Sequence, residues 1–517
     1  MIFLRRLLSV TFLAAALHPG IISAQTLRTT IPSDIRGLMP GNSPDVYTGT
    51  VLQNVYEGLV AWKSDGSVAP MLADGIEVSP DGKIYTFTLR DGVIFHNGAP
   101  LTSREVVWTW NRFLDPDGAW PCRANFNGSN AIKVESVEAP DDKHVVFRLQ
   151  APSGSFLSAM ARSDCDSAGI AHPDSVGPDG SWSQAIGTGP FKLKEWRKGQ
   201  YVDLAKFDSY RPRSEAADGL AGKKEALVAG VRLNIIPSSQ VAKAALLSGQ
   251  IDVWPEIEPS QVKEIEANPS VKITTSSVAS IYTLTFQTRD PVLGDPRIRR
   301  AIAYAIDRNS LSDALSEGRA MVSSSLIPAT SRFYGPIEKT GTEYDPDKAQ
   351  QLLKEAGYHG ERIVIQTNRQ NAYMSDTAIY VQSMLKAVGI NADVEVLEFA
   401  TQFQHYYAGT YQMSVWNLTP YLDPIYIFER FTGSKEKQAD KVWDDPNAIA
   451  LLKILFETTD DKERQRTIDS AHELLIKTTP LIVWGTRVSV GAFRPNVQGF
   501  LAWPGQKPRF WGISLLN

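Results

Sequence analysis

Short apolar strands alternate with amphipathic helices in the second half of the chain, and this alternation restricts the fold more than any other feature. Residues 363–367 and 392–397 have the pattern of strands, and residues 378–388 between them have the pattern of a helix that ends at Gly389. Residues 297–307 predict another helix with an apolar face. Helices and strands that alternate at this spacing are typical of layered α/β folds.

The first half is richer in strands and turns. A Ser-Pro-Asp-Gly turn at 79–82 precedes an alternating strand at 84–89, and Thr102 with Glu105 has the spacing of a helix capping box. The pattern changes near residue 278, and 517 residues correspond to roughly three folding units, so we expect more than one lobe. The other elements predicted in this half are strands at 145–149, 191–196 and 231–236 and a helix at 239–247.

The first 24 residues have the pattern of a secretory signal. Arg5 and Arg6 form a basic start, residues 7–17 form an apolar run, and Pro19 interrupts it. Because a membrane-spanning helix needs about 20 apolar residues, cleavage after Ala24 is favoured over a membrane anchor. The exported chain would have a formal net charge of −6, since the signal contains two Arg and no acidic residue.

The composition excludes several classes of protein. Apolar residues make up 43% and charged residues 21%, and the Gly and Pro residues are spread along the chain, which is typical of a globular protein and not of a collagen-like or disordered one. The formal net charge of −4 for the whole chain argues against nucleic-acid binding, which usually requires a basic surplus.

Cys122 and Cys165 are the two cysteines of the sequence. Export to an oxidising compartment favours a disulfide between them, and closing a loop of roughly 40 residues would contribute about 4 kcal/mol in the loop-entropy model. Two separate buried thiols are the alternative. Without neighbouring histidines the pair makes a poor zinc site, and we expect neither a metal nor a cofactor.

The familiar catalytic motifs are missing from the sequence. It has neither a G-x-S-x-G elbow nor a phosphate-binding GxxxxGK[ST] loop. Gly187 and Gly189 resemble part of a dinucleotide fingerprint, but Pro190 has no N–H to donate to a phosphate. We therefore expect no enzymatic activity. A secreted glycoside hydrolase that uses two cleft carboxylates is the alternative from another class.

Seven segments, in order along the chain, resemble the extracytoplasmic solute-binding proteins of family 5, which serve peptide, nickel and opine ABC importers. They cover nearly the whole exported chain, which makes the resemblance specific although each segment alone is weak. The segments are NVYEGL at 54–59, SPDGKIYTFTLRDGV at 79–93, FHNG at 95–98, IGTGPF at 186–191, LSGQIDV at 247–253, RIRRAIAYAIDR at 297–308 and AQQLLKEAGY at 349–358.

The resemblance implies an α/β, two-lobed periplasmic-binding-protein fold, type II-like (cluster C), with an extra N-terminal subdomain and two crossover strands. Lobe I would comprise residues 25–277 and 485–517, with the inserted subdomain at about 60–185, and lobe II would comprise residues 278–484. It also implies a periplasmic monomer that binds a small solute, delivers it to an ABC permease of the inner membrane and binds no nucleic acid.

The resemblance places the second-lobe part of the ligand site in the loop that begins at Trp416, whose flat ring suits stacking on a sugar or an alkyl chain. Asn417, Tyr421 and Asp423 of this loop are further candidates. Peptide-binding members have an Asp three residues after the Trp, where it pairs with the ligand ammonium; here that residue is Thr419. Since a buried ammonium without a carboxylate is costly, ordinary peptides are disfavoured.

The first-lobe candidates are Asp45, Tyr47, Trp120, Arg123 and Arg162. In nickel-binding members, comparable loops bring Trp and Arg to an anionic chelate, and an Arg reads a carboxylate or phosphate with two contacts. The disulfide would tie the two loops that carry these residues. A solvated surface charge is the alternative for each Arg, and core packing is the alternative for Trp416.

Further second-lobe candidates follow a predicted strand, where loops reach the cleft of an open α/β sheet. They are Arg369, Asn371 and Tyr373, with Gln287 as a hinge-side contact. Aromatic, amide and guanidinium groups without an amine-binding Asp predict a polyhydroxylated or anionic solute, such as an opine-like sugar conjugate, an oligosaccharide or a modified peptide. Alternatives are an ordinary oligopeptide, a nickel chelate, and a sensory or chaperone-like receptor that serves no transporter.

Overall fold

The computed structural model describes residues 25–41, 45–118, 120–369, 372–418 and 420–516. The predicted export signal lies outside these residues, as do Asn371 and Thr419. Among the helices of the described part, none combines the length and the apolar character that crossing a bilayer requires.

Nineteen strands are found in the described residues. They are β1 Thr26–Ile31, β2 Val60–Trp62, β3 Val68–Pro70, β4 Ala73–Val78, β5 Ile84–Leu89, β6 Val134–Glu138, β7 His144–Leu149, β8 Phe191–Arg197, β9 Tyr201–Lys206, β10 Gly230–Ile235, β11 Val253–Trp254, β12 Lys272–Phe286, β13 Met321–Val322, β14 Ile363–Asn368, β15 Ala392–Leu397, β16 Met413–Asn417, β17 Leu481–Phe493, β18 Val497–Gln498 and β19 Ser514–Leu515.

The same residues contain thirteen α-helices and three short 3-10 helices. The α-helices are α1 Val46–Leu52, α2 Ser103–Leu114, α3 Phe156–Met160, α4 Ser239–Leu247, α5 Pro259–Glu266, α6 Pro296–Ala305, α7 Arg308–Ser316, α8 Pro346–Ala356, α9 Ala372–Ala387, α10 Phe399–Ala408, α11 Ile425–Phe431, α12 Pro446–Glu457 and α13 Asp461–Thr478, and the 3-10 helices are Pro121–Asn125, Ser163–Ala168 and Pro173–Ser175.

The predicted α/β alternation is confirmed, and most predicted elements are found within one or two residues of their bounds. Thr102 and Glu105 form the predicted capping box at the start of α2. One helix was predicted too short, because α9 begins at residue 372 and not at 378. Tyr373 therefore lies in the first turn of this helix and not in a loop, since no glycine or proline delays the start of the helix.

Three larger sheets organise the fold. The first has the order β1-β10-β9-β8, with β1 parallel to β10 and the other pairs antiparallel. The antiparallel sheet β4-β5-β7-β6 lies within the predicted inserted subdomain. The third sheet has seven strands in the order β11-β17-β12-β16-β14-β15, with β13 beside β17. Helices α6, α7, α8 and α9 contribute buried side chains to the core beside its parallel strands β14 and β15.

The two longest strands, β12 and β17, pair with each other in antiparallel fashion and connect two parts of the molecule. At one end both lie near β11, and at the other end β12 pairs with β16. Their register shifts between Ser277 and Ile281. The lobe boundaries predicted at 277/278 and near 484 fall inside these strands, close to the shift; the exact limits of the lobes and of the inserted subdomain stay a prediction.

The disulfide between Cys122 and Cys165 is present and joins residues 43 positions apart. It links the 3-10 helix Pro121–Asn125 to the segment that follows α3. Three consecutive residues after Cys165, at 166–168, have positive φ between 44° and 55°, which is unfavourable for side chains with a Cβ. The disulfide and the buried ion pair between Lys507 and Asp166 hold this segment.

The ring of His96 is held in its neutral form. Its Nδ1 accepts a hydrogen bond from the N–H of Gly187 at 3.3 Å, and its Nε2 lies 3.0 Å from the carbonyl oxygen of Gly189. A proton on Nδ1 would face an N–H donor. Burial lowers the pKa of His96 to about 4.

We expect this histidine to weaken the fold at acid pH. Between pH 6.5 and 4 the unfolded chain binds a proton that the folded chain does not, so the free energy of unfolding falls as the pH decreases, by at most about 3 kcal/mol. His96→Gln should remove this part of the pH dependence in urea unfolding at pH 7 and pH 4. His359→Gln, at an exposed ring, is the control; parallel profiles for His96→Gln and the native chain would contradict the expectation.

Candidate functional site

A cavity of about 780 Å³ lies between the predicted inserted subdomain and the second lobe, a size typical of small-molecule sites. The subdomain contributes the 3-10 helix and loop at 125–131 and the side chain of Arg162. The second lobe contributes α10, α11, α12 and the loop after α11. The lining residues from the second lobe are Tyr407, Tyr421, Tyr426, Glu429, Arg430, Thr432, Ser434, Lys437, Gln438, Lys441, Leu452 and Phe456.

Arg162 forms the charged centre of the subdomain wall and is 8% exposed. Its guanidinium donates to both carboxylate oxygens of Asp164 at 2.7 and 3.0 Å and to Oδ1 of Asn125 at 3.3 Å. It lies 4.5 Å from the ring centre of Tyr426 and 5.5 Å from that of Tyr421. Burial opposes the charge, but Asp164 outweighs it and raises the pKa of Arg162, so the group stays cationic.

The disulfide explains how this wall is held. Cys122 lies three residues before Asn125, and Cys165 lies three residues after Arg162. The bond therefore fixes the two loops whose side chains meet in the Arg162–Asn125 hydrogen bond. Fixing polar groups before a ligand arrives reduces the entropy lost on binding.

The second-lobe wall carries Arg430, Lys437, Lys441 and Glu429. Arg430 is paired with Asp440 at 2.7 Å and lies over the rings of Tyr406 and Tyr407. Nζ of Lys441 donates to the backbone oxygen of Glu429 at 2.6 Å, and burial lowers the pKa of Lys441. Burial raises the pKa of Glu429. The wall therefore presents charges of both signs.

Trp416 lies beside the cavity and not in its lining. Its ring, half-buried on β16, contacts Phe403 with a centroid distance of 6.0 Å and Tyr406 with one of 5.1 Å. Phe403 contacts in turn the cavity residue Tyr407. Among the described residues, the buried Nε1 of Trp416 has no hydrogen-bond acceptor. Trp416 is thus one aromatic ring away from the cavity.

A second group of predicted residues gathers near the long strands. Asn417 pairs with Tyr282 of β12. The ring of Tyr282 stacks on Tyr373 and on Trp484, each at 4.4 Å, and these two rings are 5.8 Å from each other. Burial raises the pKa of Tyr47 of the first lobe, Glu256 raises it further, and Arg487 of β17 lowers it.

Asp45 is the N-cap of α1 and accepts hydrogen bonds from the N–H groups of Tyr47 and Thr48 at 3.0 and 2.8 Å. Arg369, one residue after β14, is exposed. Asn371 lies outside the described residues. These three therefore stay predictions as ligand contacts.

The structure gives Trp120, Arg123 and Gln287 contacts that differ from the predicted ones. Trp120 is 3% exposed, stacks on Phe113 at 4.2 Å and donates through Nε1 to the carbonyl oxygen of Pro40, so it packs the core of the subdomain. Arg123 donates to the carbonyl oxygen of Leu114.

Gln287 directly follows the last residue of β12, Phe286, and its role as a hinge-side ligand contact stays a prediction. Its Nε2 donates to the carbonyl oxygen of Gly409 at 2.7 Å, and Lys435 donates to its side-chain oxygen. The amide thus closes the turn after α10.

Asp423 is committed to an internal ion pair. Its two carboxylate oxygens lie 3.0 and 3.1 Å from Nη2 of Arg464, and Oγ of Ser158 donates to it at 2.8 Å. The carboxylate is 4% and the guanidinium 8% exposed. Because Ser158 belongs to the subdomain and Asp423 to the second lobe, this contact joins the two sides of the cavity. It leaves Asp423 little capacity for a ligand ammonium.

Arg487, Glu256 and Glu429 were missed by the sequence analysis. Arg487 donates to Glu256 at 2.6 Å and to Gln506 at 3.0 Å beside the long strands. A signal was present, since Arg487 is the one charged residue in the 13 residues of β17. Glu429 and its neighbour Arg430 are likewise the charged residues of the otherwise apolar helix α11.

The described residues contain no group of three or more His, Cys, Asp or Glu side chains arranged to hold a metal ion. The groups present at the cavity are guanidinium, ammonium, carboxylate, amide and phenol. These groups can bind and orient a polar solute by hydrogen bonds and ion pairs.

Comparison with known proteins identifies the family of the chain. The sequence model described as bacterial extracellular solute-binding proteins, family 5 Middle, matches residues 67–439. The oligopeptide-binding protein OppA of Bacillus subtilis is 25% identical over 486 residues, covering 88% of this chain and 86% of the relative. The glutathione-binding protein GsiB of Salmonella paratyphi A is 24% identical over 503 residues, covering 93% of each chain.

Solved structures share the fold. The binding protein AgaA of A. tumefaciens R10, solved in complex with agropinic acid, superposes with a TM-score of 0.76 at 24% identity and covers 95% of this chain and 99% of its own. The two-lobed α/β architecture is therefore confirmed.

We expect that breaking the Asp423–Arg464 pair destabilises the protein strongly. Arg464→Met would leave the buried carboxylate of Asp423 without its partner, which costs about 3–5 kcal/mol. Urea unfolding measures the loss. Arg466→Met, at an exposed position of the same helix α13, should change the free energy of unfolding by less than about 0.5 kcal/mol. Equal stability of the two variants would contradict the expectation.

Proposed function

The chain belongs to the bacterial extracellular solute-binding proteins of family 5, and we propose that it captures a small polar solute in the periplasm by closing two lobes around it. Proteins of this family bind solutes for ABC importers and are not enzymes, so the glycoside hydrolase alternative is set aside. Beyond membership of this family, we propose the kind of solute, the position of the site and the closing movement.

The observation that carries the proposal is the mixed origin of the cavity walls. Arg162 comes from the subdomain, whereas Tyr421 and Tyr426, over which its guanidinium lies, come from the second lobe. A solute in this cavity would contact both sides in the closed form and only one side in an open form. The number of contacts therefore differs between the two forms, which is the condition for a ligand to shift the balance between them.

The polar groups that line the cavity can supply the binding energy that closure requires. Shifting the ratio of closed to open forms from 1:99 to 99:1 requires about 5.5 kcal/mol of differential binding. Charge-assisted hydrogen bonds contribute about 1.5–3 kcal/mol each. Two to four such bonds to groups of the cavity would suffice, and the closed form would then deliver the solute to a permease without any chemical reaction.

The lining supports a polar, charged solute. Guanidinium, ammonium, amide and phenol groups surround the cavity, as expected for an opine-like sugar conjugate, an oligosaccharide or a modified peptide. Two similar proteins support this range of solutes: AgaA was solved with agropinic acid, and GsiB is named as a glutathione-binding protein. The oligopeptide-binding relative favours the second candidate, an ordinary oligopeptide.

Native mass spectrometry of the protein purified from its own host tests the proposal. We expect one small solute bound per monomer and released unaltered. Trp416→Ala should reduce the bound fraction about tenfold, because the loop beside the cavity loses its supporting ring, while the circular dichroism stays that of the native chain. Tyr344→Ala, at an exposed ring, is the control. Equal occupancy of the Trp416→Ala and Tyr344→Ala variants would show that Trp416 does not contribute to the site.

Gly154 tests the closing movement separately. Its N–H donates to the carbonyl oxygen of Phe456 at 3.0 Å, and a Cβ at this position would lie 2.2 Å from the carbonyl oxygen of Thr458. Gly154→Ala should therefore keep the subdomain away from the second lobe and lower the occupancy about tenfold, although no cavity residue changes. Gly75→Ala, whose Cβ would meet Thr88 at 3.5 Å, should keep the native occupancy; native occupancy in both variants would refute closure at this contact.

A further inference from the structure

Glu429 is an acidic group of the cavity to which the described residues supply no hydrogen-bond or ion-pair partner. It lies on α11, lines the cavity and is half-buried. Within the described part of the chain, its carboxylate takes part in no hydrogen bond and no ion pair. This isolation is unusual for a carboxylate that is partly removed from water, because such groups normally have a partner.

Three basic groups around Glu429 form their hydrogen bonds and ion pairs with groups other than its carboxylate. Arg162 is bound to Asp164 through two hydrogen bonds, and Arg430 is bound to Asp440. Lys441 donates to the backbone oxygen of Glu429 and not to its carboxylate. The cavity thus contains one carboxylate whose charge is balanced only at longer range.

Burial raises the pKa of Glu429, while Arg162 and Lys441 lower it and favour the ionised form. A half-buried carboxylate without a partner in the described residues gains from a cation that enters with the solute. The exposed Lys437 and the amine of Lys441 line the same cavity and can receive a carboxylate of that solute. The pattern fits a solute that carries an ammonium group together with an acidic group.

We propose that Glu429 is the anionic anchor of this site and binds the ammonium group of an amine-bearing solute, such as a peptide or an amino-acid conjugate. The inference rests on the proposed function and deepens it. It reverses the expectation drawn from Thr419, because α11, which follows the Trp416 loop, supplies the carboxylate that position 419 lacks. Free peptides then become acceptable solutes.

The first test uses two probes of known chemistry. One is an equimolar tripeptide mixture with free N termini, and the other is the same mixture after N-acetylation. We expect the solute-free protein to bind the free mixture at least about tenfold more tightly, and Glu429→Gln to lose this preference. Glu429→Asp keeps the charge and should keep part of the preference, and Glu436→Gln, at an exposed glutamate near the same loop, should behave like the native protein.

Equal binding of both mixtures by the native protein, or an undiminished preference in Glu429→Gln, would overturn the inference. If neither mixture binds, the solute that is released from protein purified from its host is treated with a reductive methylation reagent, which labels amines. A labelled solute that is lost from Glu429→Gln supports the inference. An unlabelled solute overturns it and leaves the proposed function intact, whereas the absence of any bound solute overturns the proposed function itself.

Discussion

The pairing of β12 with β17 is the constraint on which the rest of the structure depends. The two strands stay paired from Lys272 with Phe493 to Thr285 with Leu481, so the same ladder belongs to both parts of the molecule. A paired ladder resists sliding, but a shift of register disrupts it locally and lets a strand bend. The ladder has two such shifts, between Ser277 and Ile281 and between Tyr282 and Thr283, and we propose that one lobe rotates relative to the other at this part of the strands.

The charged groups at and beside the cavity fall into two kinds. Some charges are neutralised within one wall, as in the Asp423–Arg464 pair of the second lobe and the Arg162–Asp164 pair of the subdomain. Others, Glu429 and Lys437 among them, line the cavity without an ion pair in the described residues. In the closure that we propose, groups of the first kind hold each wall in its shape, and groups of the second kind make binding depend on the charge of the solute, because unpaired groups discriminate between solutes that satisfy them and solutes that do not.

Local signals were sufficient for most of the fold. The capping box of Thr102 and Glu105 and the helix Ser239–Leu247 could be predicted because a few neighbouring residues determine them. The site was harder, because tertiary packing decides it. Trp120 and Arg162 both lie close to a cysteine in the sequence, yet one packs in the core and the other reaches the cavity. The sequence marks Glu429 as a charged residue in an otherwise apolar helix, but only the packing of α11 shows that its carboxylate lines the cavity.

Small-angle X-ray scattering of the full chain, with its co-purified solute and after that solute has been removed by unfolding and refolding, tests the central claim most directly. The account predicts a larger radius of gyration for the solute-free protein and a return to the smaller value when the recovered solute is added back. Identical scattering curves in the two states would contradict it, because a molecule that does not change shape could not hold its solute between closing lobes.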